Sequence, residues 1–380
     1  MIKGLGIFAL VVIGLLMTLQ VPAVKDEFRC AITMAFYLDY TQGSLPVGAA
    51  MVSATAETVP VENRCDAADD PAIWVNTEAP EKSLILGTNK LGKINVYSLS
   101  GDRLSQRRLG APNNVDLRVI RIGSRERIIV GVSDKARSEI VILELDPTSA
   151  MLKDILISPI RTKVQQETYG FCFFHDSRSD VLYAIATDKS GQIEQWRLTV
   201  APDDKLDSQL SRVFRVGSQT EGCVVDDANH RLFVAEEDVG VWSFDALPES
   251  SDGGQLVAAA SDQLSTDVRL VADVEGLAVY APGGSERDGY LIVSSQGNDT
   301  YVVFDRSPPH EYRGTFQISL NGFTTGDTDG LEVVAVPVGS QYPTGLLVVQ
   351  DGAPAWLGHG NQNFKLVSWQ AVSEELALTD

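Results

Sequence analysis

Pairs of carboxylates stand directly before apolar, strand-like runs of the sequence. The clearest case is "DVEGLAVY", where Asp273 and Glu275 are two residues apart and so lie on the same side of an extended chain. Two carboxylates that face one way can share a cation. No CxxC pair or Cys/His spacing typical of zinc accompanies them, and hard oxygen ligands of this kind favour Ca²⁺ over transition metals.

Three lysines recur at the ends of short β-like runs, each after a Thr or Ser and an Asn or Asp. They are Lys90 in "TNK", Lys135 in "SDK" and Lys189 in "TDK". One lysine in a turn is usually solvated surface, but three at equivalent places would form a cationic arc beside the acids. A metal centre supplies a water of low pKa, and lysines hold non-bridging oxygens. The combination predicts a site for phosphate chemistry.

The acidic stretches recur at a nearly constant interval. Similar segments are "DDPAIWV", "NNVDLRV", "ETYGFCF", "TEGCVV" and "DTDGLEV". With one anchor residue taken from each copy, the steps are 46, 53, 52, 54 and 54 residues, for the anchors Asp70, Asp116, Tyr169, Glu221, Glu275 and Asp329. A second apolar run ending in a polar turn follows every anchor, and a third closes most repeats. Such short runs, rich in Val, Ile, Leu and aromatic residues, are typical of strands.

A repeat of this length with three or four strands predicts one blade of a propeller. We therefore predict an all-β fold, a six-bladed β-propeller with an N-terminal signal segment. The alternative, a pair of β-sandwiches, does not require one acidic motif six times. In a propeller the innermost strands line a central channel, so their acid-tipped ends would form a ring at one mouth. Such a ring needs protonation or bound cations to offset repulsion.

The charge balance limits the partners of the protein. Its 380 residues carry a formal net charge of −20. A surface of this kind repels nucleic acids and anionic membranes, so we expect no nucleic-acid partner. It would also repel a polyanionic substrate unless cations lie between them. We expect a monomer.

The N-terminus has the features of a secretory signal. Lys3 precedes an apolar run that reaches about Val21, and cleavage is plausible after "VPA". The alternative is an uncleaved anchor, since about 18 apolar residues could span a bilayer. Either way we expect export to the periplasm or the extracellular space. The predicted divisions are a signal peptide at 1–23, a lead-in at 24–55, the propeller at 56–370 and a tail at 371–380.

Four cysteines in an exported protein permit up to two disulfides. Cys172 and Cys223 lie just inside consecutive copies of the acidic motif, so neighbouring strands could carry them. A bridge between them and a pair of buried free thiols are both consistent with this placement. Cys30 and Cys65 are the other two.

The motifs together resemble those of the β-propeller phytases. "DAADDPAIWV", "TNK", "NNVDLR", "YGF", "SQTEG", "AEEDVGVW", "DVEGL", "SSQGN", "DTDG", "QDG" and "NQNFK" occur in the order seen in that family and cover roughly residues 56–369. The resemblance implies a calcium-dependent phosphatase that acts on myo-inositol hexakisphosphate (phytate) or its calcium complex. It implies several bound Ca²⁺ ions, attack by a calcium-bound water, no covalent phosphoenzyme and a second phosphate pocket beside the first.

The resemblance also assigns roles to residues. Those that it implies as calcium ligands are Asp69, Asp70, Tyr169, Glu221, Glu237, Asp273, Glu275 and Asp329, with Glu57 reaching the same cluster. The catalytic group among them comprises Glu221, Asp273, Glu275 and Tyr169. Phosphate binders are Lys90 and Lys189, with Lys135 or Arg137 in the place of a frequent family arginine.

Two departures from the family pattern concern a peripheral calcium site. Some members carry an Asp-Gly before "DTDG" where this chain reads "LNGFTTG", with Asn321, and a Glu-Asn after "QDG" where it has Ala353 and Pro354. Both departures remove oxygen ligands. We therefore predict that this stabilising site is lost.

Two other functions would use a similar acidic mouth. A lactonase-type propeller needs one ion and no arc of lysines, so Lys90 and Lys189 argue against it. A propeller that binds calcium without catalysis would tolerate the loss of both lysines.

Overall fold

The computed structural model describes residues 48–163, 166–261, 270–283, 287–353 and 360–379. The predicted signal segment lies outside these ranges. Within them, no helix combines the length and the apolar character needed to cross a membrane. Regular structure there is mostly β-strand, which confirms the predicted all-β class.

The strands form six sheets, which we call blades one to six, with strands numbered in chain order. Blade one contains β3 (Ala68–Trp74), β4 (Leu84–Asn89), β5 (Lys93–Ser98) and β6 (Arg103–Arg108). Blade two contains β7 (Pro112–Ile122), β8 (Arg125–Asp134), β9 (Glu139–Asp146), β10 (Met151–Asp154) and β11 (Ile160–Arg161). Blade three contains β12 (Thr168–Asp176), β13 (Val181–Asp188), β14 (Gln192–Val200) and β15 (Leu206–Arg215).

The other three blades follow the same plan. Blade four contains β16 (Thr220–Asp226), β17 (Arg231–Glu236), β18 (Gly240–Asp245) and β19 (Gln255–Ala259). Blade five contains β20 (Val274–Tyr280), β21 (Tyr290–Ser295), β22 (Thr300–Asp305), β23 (Tyr312–Leu320), β24 (Phe323–Thr324) and β1 (Ala50–Ser53). Blade six contains β25 (Leu331–Val334), β26 (Leu346–Asp351), β27 (Asn363–Ser368) and β2 (Ala56–Glu57). Helix α1 (Trp369–Leu376) follows, and single 3₁₀ turns lie at Pro80–Lys82 and Gln296–Asn298.

The innermost strands β3, β7, β12, β16, β20 and β25 contact one another in turn, and β25 contacts β3 again. The ring is therefore closed around a central channel, and the predicted six-bladed propeller is confirmed. Apolar side chains pack between adjacent blades. Phe171 and Phe173 of blade three, for example, share one buried cluster with Ile129 of blade two. This packing between faces buries the alternating apolar residues of each strand.

Both N-terminal strands join blades from the C-terminal part of the chain. Strand β2 pairs antiparallel with β27, so that Glu57 lies opposite Lys365. Strand β1 pairs parallel with β23, so that Ala50 lies opposite Phe316. The first described strands therefore complete the last two blades.

A disulfide joins Cys172 of β12 to Cys223 of β16, with 5.6 Å between their Cα atoms. Of the two arrangements that the sequence left open for this pair, the bridge is the one present. Cys65 is also disulfide-bonded, whereas Cys30 lies outside the described residues. The Cys172–Cys223 bridge links the innermost strands of blades three and four.

Candidate active site

A β-bulge near the start of the innermost strand places one side chain of each of five blades at one mouth of the channel. In each case the ladder pairs the first residue of the strand, passes over two residues and resumes. A bulge of this kind bends the strand and re-aims a side chain. The first residues of the five bulges are Asp69, Asn113, Tyr169, Glu221 and Glu275. Asp329, two residues before β25, holds the corresponding place in blade six.

The register corrects the alignment of the first two repeats. The residues equivalent to Tyr169 and Glu221 are Asp69 and Asn113, and the anchors Asp70 and Asp116 were wrong. Their carboxylates connect neighbouring blades instead. Asp70 Oδ2 accepts the Val115 N–H at 2.8 Å, and Asp116 Oδ2 accepts the Phe173 N–H at 2.8 Å.

The glycine after the rim residue lets adjacent inner strands approach closely. A Cβ at Gly170 would collide with the carbonyl oxygen of Glu221, and one at Gly222 would press on that of Glu275. Gly276 bears the same relation to the carbonyl of Asp329. The recurring acid–Gly pair thus combines a rim ligand with a position where no side chain fits.

The "T/S–N/D–K" elements stabilise these bulges. In each element the hydroxyl oxygen accepts a hydrogen bond from the backbone N–H of the second bulge residue. The three bonds are Asp70 N–H to Thr88 Oγ1 (2.9 Å), Asn114 N–H to Ser133 Oγ (3.0 Å) and Gly170 N–H to Thr187 Oγ1 (3.1 Å). The Asn or Asp that follows the hydroxyl residue forms hydrogen bonds with nearby loops. Asp134, for example, accepts the N–H groups of Gly110 and Ala111 at 2.8 and 2.9 Å. The third residue of each element, the lysine, takes no part in these hydrogen bonds, and its side chain faces the channel mouth.

The lysines occupy equivalent positions, as predicted, and the equivalence extends to all six blades. In every blade the residue after the second strand, or at its end, donates its backbone N–H to a carbonyl that precedes the inner strand. These residues are Lys90, Lys135, Lys189, Glu237, Gln296 and Gly352. The mouth is therefore polarised, with cations on blades one to three and an acid and an amide on blades four and five.

Lys90 lies among carboxylates. Its Nζ is 2.7 Å from Asp66 Oδ1 and 2.9 Å from both Asp69 Oδ1 and Asp329 Oδ2. Gln296 Nε2 donates to the other oxygen of Asp329 at 2.7 Å. Burial alone would lower the pKa of Lys90, but these carboxylates raise that pKa well above its usual value. Lys90 therefore remains charged and links blade one to blade six.

Glu221, Glu237 and Glu275 form a cluster in which one carboxylate oxygen from each lies within 4.8 Å of the others. Burial, with the charge of Glu275, raises the pKa of Glu221 well above its usual value. The pKa of Glu275 is raised in the same way by burial and by Asp329 and Glu237. Oxygens 2.3–2.6 Å from one Ca²⁺ can be at most about 5 Å apart, so this cluster fits a hard divalent cation.

Asp273 borders the same cluster, and burial together with the charge of Glu237 raises its pKa to about 6. Tyr169 also faces it. Burial and Glu221 raise the pKa of the Tyr169 phenol, which keeps it protonated. The structure thus brings most of the predicted ligands together at one mouth.

Lys135 and Lys189 flank Tyr169 rather than the acids. Lys189 Nζ lies 4.3 Å and Lys135 Nζ 5.0 Å from the centroid of the Tyr169 ring. Arg137 contacts Asp134 instead, with its Nε 3.8 Å from Oδ2, and its side chain is 55% exposed. Of the two candidates for the blade-two cation, Lys135 is the one at the mouth.

Two predicted ligands lie apart from this group. Asp70 lines a channel cavity of about 340 Å³ with Asp116, Arg118 and Glu332. Glu57 lies on blade six, where its Oε2 accepts hydrogen bonds from Lys365 Nζ (2.7 Å) and Asn363 Nδ2 (2.9 Å).

Several residues at the mouth were not predicted from the sequence. Asp66, Asn113 and Gln296 touch Lys90, Lys135 and Asp329 respectively. Gln296 could have been found by extending the repeat alignment of the "TNK" turn to "SSQGN", because both end the second strand of a blade. Asn113 was hidden because it is not an acid.

A pH-dependent loss of stability is expected from Asp299, which stands on blade five beside this mouth. Its Oδ1 accepts the Asp327 N–H at 2.7 Å, and burial together with the charges of Asp327 and Asp351 raises its pKa to about 7. Because this exceeds the unfolded value, the free energy of unfolding falls as pH rises between the two values. Above about pH 7 the penalty is complete.

Asp299→Asn should therefore raise the melting temperature by several degrees at about pH 8 and change it little near pH 4. Asparagine keeps the acceptor oxygen and tolerates the positive φ of 54° at this position. Melting curves in chelator across this pH range measure the effect, with Asp207→Asn on the exposed strand β15 as the control. Equal shifts at both ends of the range would contradict it.

Known proteins that resemble this chain match most of its length. A family model described as Phytase matches residues 39–380. A 3-phytase of Bacillus subtilis (strain 168) is 38% identical over 336 residues, which is 86% of this chain and 85% of that protein. The family match spans the whole propeller.

More distant similarities are also found. Cell surface glycoprotein 2 of Haloarcula hispanica is 24% identical over 169 residues, which is 43% of this chain and 18% of that protein. Among solved structures, a functionally unknown protein from Desulfotomaculum acetoxidans is 14% identical with a TM-score of 0.43, over 67% of this chain and 72% of that one.

Proposed function

The chain belongs to the phytase family, and from this premise we propose that it is a calcium-dependent phosphomonoesterase that releases phosphate from phytate and leaves lower inositol phosphates. One observation carries the proposal beyond family membership. The mouth that gathers Glu221, Glu237 and Glu275 also presents Lys135 and Lys189. Hard oxygen ligands beside cations suit a phosphate ester whose charge must be neutralised.

The calcium ligands that we propose are the oxygen-bearing side chains at this mouth. They are Asp69, Tyr169, Glu221, Glu237, Asp273, Glu275 and Asp329. Bound Ca²⁺ would neutralise phosphate oxygens and supply an activated water for direct attack on phosphorus. Asp70 stays a proposed calcium ligand of the channel cavity rather than of this mouth, whereas Glu57 accepts a hydrogen bond from Lys365 on blade six.

The residues of the chain hold and orient the ester. Lys135 and Lys189 would bind non-bridging phosphate oxygens, and the protonated phenol of Tyr169 can donate a hydrogen bond to one of them. Lys90 is held by three carboxylates, so it mainly fixes the positions of Asp69 and Asp329. Its proposed phosphate contact would be made with the charge still present.

A covalent phosphoenzyme has no evident nucleophile in the described part of the chain. Arg178 follows Cys172 by six residues, the spacing used by phosphatases with a cysteine nucleophile, but Cys172 is held in a disulfide. His175 and His230 pair with Asp180 and Asp176, and none of these contacts reaches the acidic mouth. Direct attack by water is therefore the route that we propose.

The net charge of −20 fits a calcium-bearing substrate. A protein this acidic would repel phytate, so cations must lie between them. We propose that the calcium–phytate complex is the form that binds.

The test is phosphate release from phytate by the purified protein, with millimolar calcium and with excess chelator. We expect release only with calcium, and its loss in Lys189→Ala. Phenyl phosphate, which carries one phosphate, serves as the comparison substrate and should react poorly. A folded protein that binds calcium but releases no phosphate would instead support a propeller that only binds a ligand.

The peripheral stabilising calcium site is a separate expectation. Lys365 is 5% exposed, and its Nζ lies 2.7 Å from both Glu57 Oε2 and Asp351 Oδ2. An ammonium therefore already neutralises the acids of this region. The methyl side chain of Ala353 offers no oxygen to a cation, and Pro354 lies outside the described residues.

We predict that calcium raises the melting temperature only through the channel mouth. Glu221→Gln should then remove most of the calcium-dependent rise, whereas Glu57→Gln should leave most of it. Melting curves with calcium and with chelator measure both. A rise that persists in Glu221→Gln would reveal a second stabilising site.

A further inference from the structure

Two ammonium groups contact one aromatic ring at the channel mouth. Lys189 Nζ and Lys135 Nζ are 4.3 and 5.0 Å from the centroid of Tyr169, so they cannot be further apart than the sum of these distances. Like charges at such a spacing repel each other. The negative face of the ring offsets part of that repulsion, because a cation within about 6 Å of it is attracted.

These two lysines differ from Lys90 in what neutralises them. Lys90 Nζ has three carboxylates within 2.9 Å. Lys135 Nζ donates at 2.9 Å to the neutral oxygen of Asn113, and Lys189 Nζ is 3.8 Å from the exposed Glu167. The positive charge available to a ligand therefore lies mainly on Lys135 and Lys189.

The fold explains why one ring serves both lysines. Tyr169 is the first bulge residue of β12, on the inner strand of blade three. Lys135 follows the second strand of blade two, and Lys189 follows the second strand of blade three. The ring thus stands between the ends of two neighbouring blades, where both flexible side chains can reach it.

We propose that the ring of Tyr169 is a positioning residue for substrate binding. Contact with the ring holds Lys135 and Lys189 where they bind two neighbouring anionic groups of one polyphosphate. A lysine side chain that is already ordered loses less entropy when the anion binds. This role belongs to the ring, whereas any ligand role belongs to the phenol oxygen. The inference rests on the proposed function for the identity of the polyanion.

The test separates the ring from the hydroxyl group. Tyr169→Phe keeps the ring, and Tyr169→Leu removes it. Binding of myo-inositol hexasulfate, which is not a phosphate ester, is measured by calorimetry in millimolar calcium. We expect the Kd to rise about tenfold more in Tyr169→Leu than in Tyr169→Phe, since both variants lose the hydroxyl group but only the leucine variant loses the two cation–π contacts.

A double-mutant cycle shows whether the ring acts through the lysines. In a Lys189→Met background, Tyr169→Leu should weaken hexasulfate binding clearly less than it does in the wild type. With phytate, Tyr169→Phe should lower kcat more than it raises KM, and Tyr169→Leu should raise KM. Equal hexasulfate affinities for the Phe and Leu variants, or effects that simply add in the cycle, would overturn the proposal.

Failure of this inference and failure of the proposed function give different results. A wild-type protein that binds hexasulfate with the expected ring dependence but releases no phosphate from phytate would contradict only the function. A protein that hydrolyses phytate but shows no ring dependence would contradict only the inference. So would a wild-type protein that fails to bind hexasulfate while it hydrolyses phytate. Should Tyr169→Leu not fold, Tyr169→Met removes the ring with a longer side chain, and the same outcomes apply.

Discussion

Glu221→Gln should lower phosphate release from phytate by about 10²–10³-fold, the usual consequence of removing one group that stabilises charge in a transition state. Glutamine keeps the shape and one oxygen but not the charge. Glu221 belongs to the only group of three carboxylates within ligand distance that the described residues contain. A neutral residue there would weaken the binding of a shared cation, while the fold would lose none of its apolar contacts.

The stability of the same variant should move in the opposite direction. Burial and the charges of Glu275 and Glu237 raise the pKa of Glu221, so without metal its ionised form destabilises the fold. In chelator, Glu221→Gln should therefore melt at a temperature equal to or above that of the wild type. Glu126→Gln, at an exposed pair with Arg121, is the control and should retain activity. An inactive variant that also melts early would indicate misfolding and contradict the assignment.

Arg306→Met should destabilise the protein by about 3–5 kcal/mol, the cost of leaving one partner of a buried ion pair unpaired. Arg306 Nε and Nη2 donate to the two oxygens of Asp226 at 2.6 and 2.5 Å. Both side chains are 2% exposed. Asp226 ends the inner strand of blade four, and Arg306 follows the third strand of blade five, so the pair connects two blades.

The midpoint of urea unfolding measures this loss. The double variant Asp226→Leu/Arg306→Met should be more stable than Arg306→Met alone, since it leaves no buried charge without a partner. Arg313→Met breaks the exposed pair with Asp305 and should change the midpoint little. A loss in Arg306→Met no larger than that in Arg313→Met would contradict the expectation.

The propeller could be predicted from the sequence because its signals are local and repeated. Each blade repeats the same short apolar runs and polar turns, and these alone determine strand length and spacing. The lysine positions followed for the same reason. Each of these lysines, Lys90, Lys135 and Lys189, follows the second strand of its blade. The hydroxyl residue two positions before each lysine accepts a hydrogen bond from the bulge of the inner strand.

The exact rim residues of blades one and two could not be predicted in this way. A bulge inserts one extra residue, and nothing in "DDP" shows which of its two adjacent acids turns towards the mouth. In "NNVD" the acid taken as the anchor, Asp116, lies three residues after Asn113. The ladder register decides in favour of Asp69 and Asn113. The Cys172–Cys223 bridge was open for a similar reason, since its formation depends on the distance between two strands and not on their composition.

The pairing of β2 with β27 has a consequence for how the protein reaches its final form. Glu57 and Lys365, which are 308 residues apart, must meet before blade six is complete. Contacts between such distant residues carry the largest loop-closure cost and form slowly. We therefore expect the nascent chain to remain an open arc of blades until its C-terminus has been synthesised. The seam at blade six is then the last part of the ring to form and the first to separate under stress.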